Sequence, residues 1–234
     1  MRLLCFPYAG GSASIFANWQ KILGPEIEVC AVQLPGRAGR MRETAHRRLD
    51  TLLPLLLDVL SPLFDMPVAT FGHSMGSLLA FDLARAMGHI PGAEPVRLFA
   101  AGRRAPQRSD RDEQMTGLPD DEFRRRLGLM NGTPPEILRD EDLMNLVLPF
   151  LRADFELNDT YTFTPEPLAV PVTALGGIDD PEANIDELAA WGEVTAGAFK
   201  LVMFPGDHFF LTGSELMMLE VIASDLQAVL PAAV

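Results

Sequence analysis

Six short apolar runs recur along the chain, and each is followed by turn residues and then by apolar residues at helical spacing. The runs lack the alternation of apolar and polar positions that marks a half-exposed strand. Strands that are apolar throughout and alternate with helices predict the α/β class, with a mostly parallel sheet covered by helices on both faces. The predicted strands are residues 3–6, 29–34, 68–72, 97–101, 170–176 and 199–204.

The alternation of strands and helices is interrupted once, after the fourth strand. Amphipathic helical patterns at residues 120–130 and 140–155 occupy this stretch. A second domain would need a core of its own. We therefore predict one domain over residues 1–234, with residues 102–168 as a helical lid insertion.

Composition and charge narrow the possible partners. The chain has 234 residues, 48% of them hydrophobic, and a formal net charge of −13, which suits one globular domain. This acidity argues against a chain built to coat nucleic acid or an anionic membrane, so we expect neither partner. Residues 154–234 carry one basic and 14 acidic side chains, a balance of −13, so residues 1–153 are neutral as a whole.

The N-terminus and the cysteines bear on location. Arg2 precedes only a short apolar run before Pro7, too short for the core of a signal peptide, and no apolar run is long enough to span a bilayer. We therefore expect a cytoplasmic protein. Cys5 and Cys30 lie in apolar runs, which favours buried reduced thiols over a disulfide. The four scattered histidines show no metal-ligand spacing, so we expect no metal site.

The candidate nucleophile is Ser74, at the centre of the sequence Gly-His-Ser-Met-Gly at residues 72–76. The motif lies between an apolar run and a helical pattern that begins at Met75. In a G-x-S-x-G turn between a strand and a helix, the serine is held in strained backbone with its hydroxyl exposed. The alternative is an ordinary glycine-rich turn.

Only four histidines are present, so the general base can be chosen by elimination. His73 lies inside the turn, where packing directs it away from the serine hydroxyl. His46 lies among arginines in a solvated setting, and His89 follows the next helix at its exposed end. His208 lies directly after the last strand, on a loop that returns to the strand ends where Ser74 sits. We therefore predict His208 as the base.

The acid partner is expected between the nucleophile and the base in chain order. Asp179 and Asp180 close the strand before the last one. We prefer Asp180, because Pro181 restrains the preceding residue to extended backbone. Asp179 remains the alternative. In this arrangement the histidine takes the serine proton, and the aspartate fixes the histidine tautomer.

Attack on an acyl carbon also requires an oxyanion hole with two backbone N–H donors. One donor is expected from Met75, the residue after the nucleophile, and the other from the loop after an early strand. Residues 7–12, here called the oxyanion loop, match that description, and Ala9 is the preferred donor. A plain glycine turn is the alternative.

Four segments together resemble the type II thioesterases that accompany polyketide synthases and non-ribosomal peptide synthetases. They are residues 6–14, 33–37, 72–77 and 206–210, in the same order and across almost the whole chain. The resemblance implies the α/β-hydrolase fold and hydrolysis of acyl thioesters from acyl or peptidyl carrier proteins. It implies no cofactor beyond the phosphopantetheine that the substrate carries, and a mobile lid that shapes the acyl pocket. One departure is Tyr8, where many members have histidine.

Residues 37–48 carry five arginines against Glu43 alone. We hypothesise that this cluster docks an acidic carrier protein through carboxylate or phosphate contacts, although a solvated arginine face is the simpler interpretation. The five candidate docking residues are Arg37, Arg40, Arg42, Arg47 and Arg48.

Two other functions remain open. A small-molecule esterase or lipase of the same fold would share the catalytic residues without needing the 33–37 loop. A non-catalytic binding protein on a hydrolase fold would need neither. We expect a monomer. In the insertion, Met115, Met130 and Met144 could adapt to several acyl shapes or could be ordinary helix-face core.

Overall fold

The computed structural model describes residues 1–108 and 114–229, which form six strands and nine α-helices. Residues 109–113 of the predicted insertion and residues 230–234 of the predicted domain lie outside the described residues. The strands are β1 (Arg2–Phe6), β2 (Glu28–Ala31), β3 (Val68–His73), β4 (Arg97–Ala101), β5 (Val172–Gly177) and β6 (Phe199–Phe204). The helices are α1 (Trp19–Leu23), α2 (Leu49–Leu60), α3 (Met75–Met87), α4 (Asp120–Leu129), α5 (Pro135–Arg139), α6 (Glu141–Asp159), α7 (Ile185–Ala189), α8 (Phe210–Gly213) and α9 (Glu215–Gln227).

All six strands run parallel in one sheet, in the order β2-β1-β3-β4-β5-β6, which confirms the predicted parallel sheet. Strand β2 ends at Ala31, before the predicted end at residue 34. Strand β5 begins at Val172, after the predicted start at residue 170, because Pro171 has no N–H to donate. The carboxyl ends of the strands meet at one edge, and the loops that follow them converge there.

Helices cover both faces of the sheet, as the continuous apolar runs predict. Leu4 and Phe6 of β1 pack in one layer with α2 and α3. Leu3 and Cys5 pack in the opposite layer with α1 and α9. Cys5 is buried, whereas Cys30 is half-buried against the first layer, and both are free thiols on opposite faces of the sheet.

The insertion after β4 has a small apolar cluster of its own, which the lid prediction did not include. Its buried side chains come from α4, α6 and the loop before α4. Met115 and Met144 are buried in this cluster and Met130 packs against it, which supports the core interpretation of these methionines. Ala105 and Leu168 belong instead to the main core. The separately packed part is therefore narrower than residues 102–168.

Candidate active site

Ser74 lies in the sharp turn between β3 and α3, at the carboxyl edge of the sheet. Its backbone has φ 54° and ψ −117°, a positive φ that a residue with a side chain rarely adopts. Such strain costs about 1–3 kcal/mol and persists only where the surroundings over-determine it. One such constraint is the hydrogen bond from the Ser74 N–H to Ala101 O, at 2.8 Å. The turn therefore has the strained backbone expected of a nucleophile elbow.

The glycines on either side of Ser74 are required by close backbone approaches. A Cβ at Gly72 would overlap the carbonyl oxygen of Gly76 at the start of α3. A Cβ at Gly76 would overlap the carbonyl oxygen of Phe6 at the end of β1. The helix and the neighbouring strand can therefore pack against the elbow only when both positions lack a side chain.

Asp180 and His208 meet on the loops that follow β5 and β6. The His208 Nδ1 lies 3.0 Å from Asp180 Oδ2 and 3.1 Å from Oδ1, so a protonated Nδ1 donates to the carboxylate. Asp180 Oδ1 also accepts the Glu182 N–H at 2.7 Å. The Asp180 side chain is fully buried, whereas Asp179 is exposed. The structure therefore places Asp180, and not its neighbour, against the histidine.

The serine and the histidine are brought to the same edge but are not hydrogen-bonded. Among the described residues, no hydrogen bond joins Ser74 Oγ to His208. The His208 side chain is 12% exposed and Ser74 is half-buried, so neither residue is sealed from solvent. Nucleophile–base hydrogen bonds are often long before substrate binds and shorten in the complex.

His73 is fully buried beside the site, and its position shows a contribution that the sequence did not reveal. Its Nε2 lies 2.8 Å from His208 O, and because a carbonyl only accepts, Nε2 carries the proton and donates. Burial lowers the pKa of His73 well below its usual value, and the nearby His208 lowers it further. A neutral His73 thus fixes the backbone of the His208 loop, and packs edge-on against Tyr8 at 5.4 Å between ring centroids. Burial in turn raises the pKa of the Tyr8 hydroxyl.

The oxyanion loop forms a tight turn next to Ser74. The Gly11 N–H donates to Tyr8 O at 2.8 Å, and Gly10 has φ +83°. The Gly10 N–H donates away from the turn, to Asp154 Oδ2 at 2.7 Å, so it is not available as an oxyanion donor. Within the described part of the chain, the N–H groups of Ala9 and Met75 have no hydrogen-bond acceptor. The two predicted donors are therefore free to bind an oxyanion.

Arg37 does not belong to a docking surface, and that part of the prediction is wrong. Its side chain is 3% exposed and pairs with Asp154 of α6 through Nη1–Oδ2 at 2.5 Å and Nη2–Oδ1 at 2.7 Å. The guanidinium also lies 4.9 Å above the Phe150 ring. A buried carboxylate far along the chain thus holds Arg37 inside the protein, and no count of local charge could show this.

The other four arginines of the cluster are exposed, but most of their charge is already compensated. Arg40 pairs with Glu43, Arg47 with Glu156 and Arg48 with Asp50. In the residues that the structure describes, no carboxylate lies within ion-pair distance of Arg42. The local excess of positive charge is therefore smaller than the sequence indicates.

Asp154 is the residue of this site that sequence reasoning missed. It is 2% exposed and lies on the buried face of α6, at helical spacing from Phe150, Leu151 and Leu157. Burial raises the pKa of Asp154, while Arg37 and the Gly10 N–H act in the opposite direction. An acidic residue on an otherwise apolar helix face was the available signal, because a buried carboxylate needs a partner.

Residues 1–108 and 114–229 contain neither a candidate metal cluster nor a helix that could span a membrane. That part of the chain contains no group of three or more histidine, cysteine, aspartate or glutamate side chains that could hold a metal ion. None of its helices combines the length and the hydropathy needed to cross a membrane.

Comparison with known proteins agrees with this geometry. A family model described as thioesterase domain matches residues 1–229. Gramicidin S biosynthesis protein GrsT of Aneurinibacillus migulanus is 42% identical over 231 residues, covering 98% of this chain and 90% of GrsT. The structure of the type II thioesterase BorB, from the borrelidin biosynthetic cluster, matches with TM-score 0.87 at 38% identity, covering 95% of this chain and 91% of BorB. YbtT, a type II thioesterase from the yersiniabactin NRPS/PKS pathway, matches with TM-score 0.86 at 30% identity and the same coverage. These likenesses confirm the α/β-hydrolase fold.

Proposed function

Because this chain belongs to the thioesterase domain family, and is thus a hydrolase of thioesters, we propose that it removes acyl groups from carrier proteins. The acyl group would be attached to the phosphopantetheine arm of an acyl or peptidyl carrier protein in polyketide or non-ribosomal peptide synthesis. The support comes from relatives such as BorB and YbtT, which are type II thioesterases of biosynthetic pathways. The reaction as proposed uses the chain's own groups, the phosphopantetheine of the substrate and a water molecule.

The observation that carries the mechanism is the strained Ser74 elbow at the same edge of the sheet as the Asp180–His208 pair. His208 takes the proton of Ser74 Oγ as that oxygen attacks the thioester carbon. Asp180 holds Nδ1 protonated and stabilises the imidazolium that forms. The carbonyl oxygen becomes an oxyanion that accepts hydrogen bonds from the N–H groups of Ala9 and Met75. The N-terminus of α3 adds a partial positive charge beside it.

The second half of the reaction releases the acid. The tetrahedral intermediate expels the pantetheine thiolate, which takes the proton from His208 and leaves as a thiol. Water then attacks the acyl-Ser74 ester while His208 accepts its proton. Collapse of the second intermediate returns the proton to Ser74 Oγ and frees the carboxylic acid.

The first test replaces the nucleophile. We expect Ser74→Ala to abolish hydrolysis of an acyl carrier protein thioester while the protein stays folded, because only one oxygen at the elbow is lost. Ser61→Ala, at an exposed serine, is the matched control and should keep full activity. Turnover near the wild-type rate in Ser74→Ala would exclude the proposed mechanism.

The second test separates carrier-protein thioesters from small thioesters. The same acyl group is offered on a carrier protein and on N-acetylcysteamine, and kcat/KM is measured for both. A higher kcat/KM with the carrier protein supports the proposal. Equal values would favour a small-molecule esterase of the same fold.

Docking of the carrier protein would use the exposed arginines of residues 40–48. Arg42 offers an uncompensated charge within the described residues, while Arg40, Arg47 and Arg48 would exchange an exposed intramolecular partner for one on the carrier protein. Exposed ion pairs of this kind contribute little to stability, so exchanging them costs little. We therefore propose a docking surface of four arginines without Arg37.

A further inference from the structure

The insertion reaches the oxyanion loop through one buried ion pair. The Asp154 carboxylate of α6 accepts a hydrogen bond from the Gly10 N–H at 2.7 Å. It also accepts hydrogen bonds from both terminal nitrogens of Arg37. Arg37 in turn donates to Gly11 O at 3.3 Å and to Pro35 O at 3.4 Å. Two peptide groups of the oxyanion loop, the Gly10 N–H and the Gly11 carbonyl, are thus held by this pair.

The geometry of the turn explains what the pair controls. Tyr8 O and the Gly11 N–H close the turn, and the positive φ of Gly10 at its third position matches a type II turn. A type I turn differs by a flip of the central peptide, between Ala9 and Gly10. That flip would point the Ala9 carbonyl oxygen at the carboxylate of Asp154, which repels it. Asp154 therefore selects one of two turn conformations. Together with Arg37 it anchors two peptide groups that follow Ala9, and so it sets where the turn that carries the Ala9 N–H lies.

Helix α6 also contacts the same turn through apolar groups. A Cβ at Gly10 would lie 2.6 Å from Leu151 Cδ2, so the helix packs directly on the glycine. A Cβ at Gly36, next to Arg37, would lie 3.2 Å from the Cβ of Phe150. One face of α6 thus covers both the oxyanion loop and the loop that carries Arg37.

We propose that Asp154 and Arg37 are positioning residues that set the oxyanion loop, so that the hole is complete only while α6 is docked. This inference rests on the proposed function, since it assigns the Ala9 N–H to the oxyanion. A buried ion pair is in general weak evidence for stability, because desolvation offsets much of the attraction. Its hydrogen bonds to the loop give it a specific task instead.

The test compares Asp154→Asn with a matched variant of another nearly buried carboxylate. The matched residue is Asp225 of α9, which pairs with Lys200 at 2.8 Å and with Arg97 at 3.5 Å. Asp225 also accepts from Thr173 near the amino end of β5, at the edge of the sheet opposite the site. Asp225→Asn therefore removes a similar charge without touching the oxyanion loop.

For Asp154→Asn we expect kcat to fall about 10- to 100-fold with little change in KM, because a displaced donor weakens only the transition state. The inhibition constant of phenylboronic acid, whose tetrahedral adduct with Ser74 places an oxygen in the hole, should rise in parallel. Asp225→Asn should lose thermal stability but keep kcat and the boronate constant. Arg37→Lys keeps both charges and should give a smaller fall in kcat, which keeps the test informative if Asp154→Asn does not fold.

Two outcomes would overturn the inference. The first is that Asp154→Asn or Arg37→Lys loses as much stability as Asp225→Asn but keeps the wild-type kcat and the wild-type inhibition constant of phenylboronic acid. The other is an equal loss of kcat in Asp225→Asn. In either case an inactive Ser74→Ala would leave the proposed function standing, whereas an active Ser74→Ala would remove it first.

Discussion

The two sides of the catalytic site are built in different ways. Ser74, Asp180 and His208 follow β3, β5 and β6 of one parallel sheet, in which β4 joins β3 to β5, and each side chain lies within a few residues of a strand end. The oxyanion loop follows a strand too, but its conformation depends on a side-chain ion pair between two distant segments. The first side, here called the backbone-built side, rests on the ends of strands in the sheet, whereas the second side rests on an ion pair that lies outside the sheet.

The two sides therefore have different tasks in the proposed reaction: one supplies the reacting side chains, and the other positions a donor of the oxyanion hole. The backbone-built side supplies the nucleophile and the base from the ends of β3 and β6. The side that depends on Asp154 responds to α6, the helix that packs on Gly10. Substitutions on the two sides should therefore differ in size and in kind.

The largest effect is expected on the backbone-built side. Asp180→Asn removes the charge that stabilises the imidazolium and favours the wrong tautomer of His208, so kcat should fall by about 10³- to 10⁴-fold. Asp179→Asn, at the exposed neighbour, should leave kcat close to wild type. Steady-state kinetics on one carrier-protein thioester measures both. A larger loss in Asp179→Asn would reverse the assignment of the acid.

A smaller effect, on stability, is expected where the second side is held. Arg37→Met leaves the Asp154 carboxylate buried without its cation, which should lower the free energy of unfolding by about 3–5 kcal/mol. Arg40→Met removes a similar two-pronged pair with Glu43 at the surface and should not shift the urea midpoint measurably. Equal shifts in the two variants would mean that burial does not distinguish the two pairs.

The smallest effect concerns the exposed arginines. Reversing the charge in Arg40→Glu with Arg42→Glu should raise KM for the carrier-protein thioester a few-fold and weaken its salt dependence, with kcat unchanged, since rim charges act mainly on encounter. The N-acetylcysteamine thioester is the control substrate. Its kinetics should respond neither to the charge reversal nor to the salt concentration. Unchanged carrier-protein kinetics across salt concentrations would refute the docking surface.

The same contrast explains how much of the molecule the sequence could predict. Local sequence patterns were enough to predict the strands and the elbow helix Met75–Met87. They were also enough to choose Ser74 and His208, because the elbow requires glycines at fixed positions and His208 directly follows a strand. The choice of Asp180 over Asp179 needed only one further constraint, from Pro181. Arg37 was misplaced because its partner lies far along the chain, in a helix whose pattern predicted only an apolar face. Pairings between distant side chains leave no periodic trace in the sequence.

The contact between Gly10 and Asp154 joins residues 144 positions apart, and it has a consequence for how the enzyme matures. During synthesis the oxyanion loop and Ser74 leave the ribosome early, and long-range contacts of this kind form late. The oxyanion loop cannot form its contact with Asp154 until α6 has been synthesised. Ser74 has no general base until His208, near the end of the chain, has been synthesised. A nascent or truncated chain would thus present a serine that cannot react, so carrier-bound intermediates meet hydrolytic activity only from molecules that have completed folding.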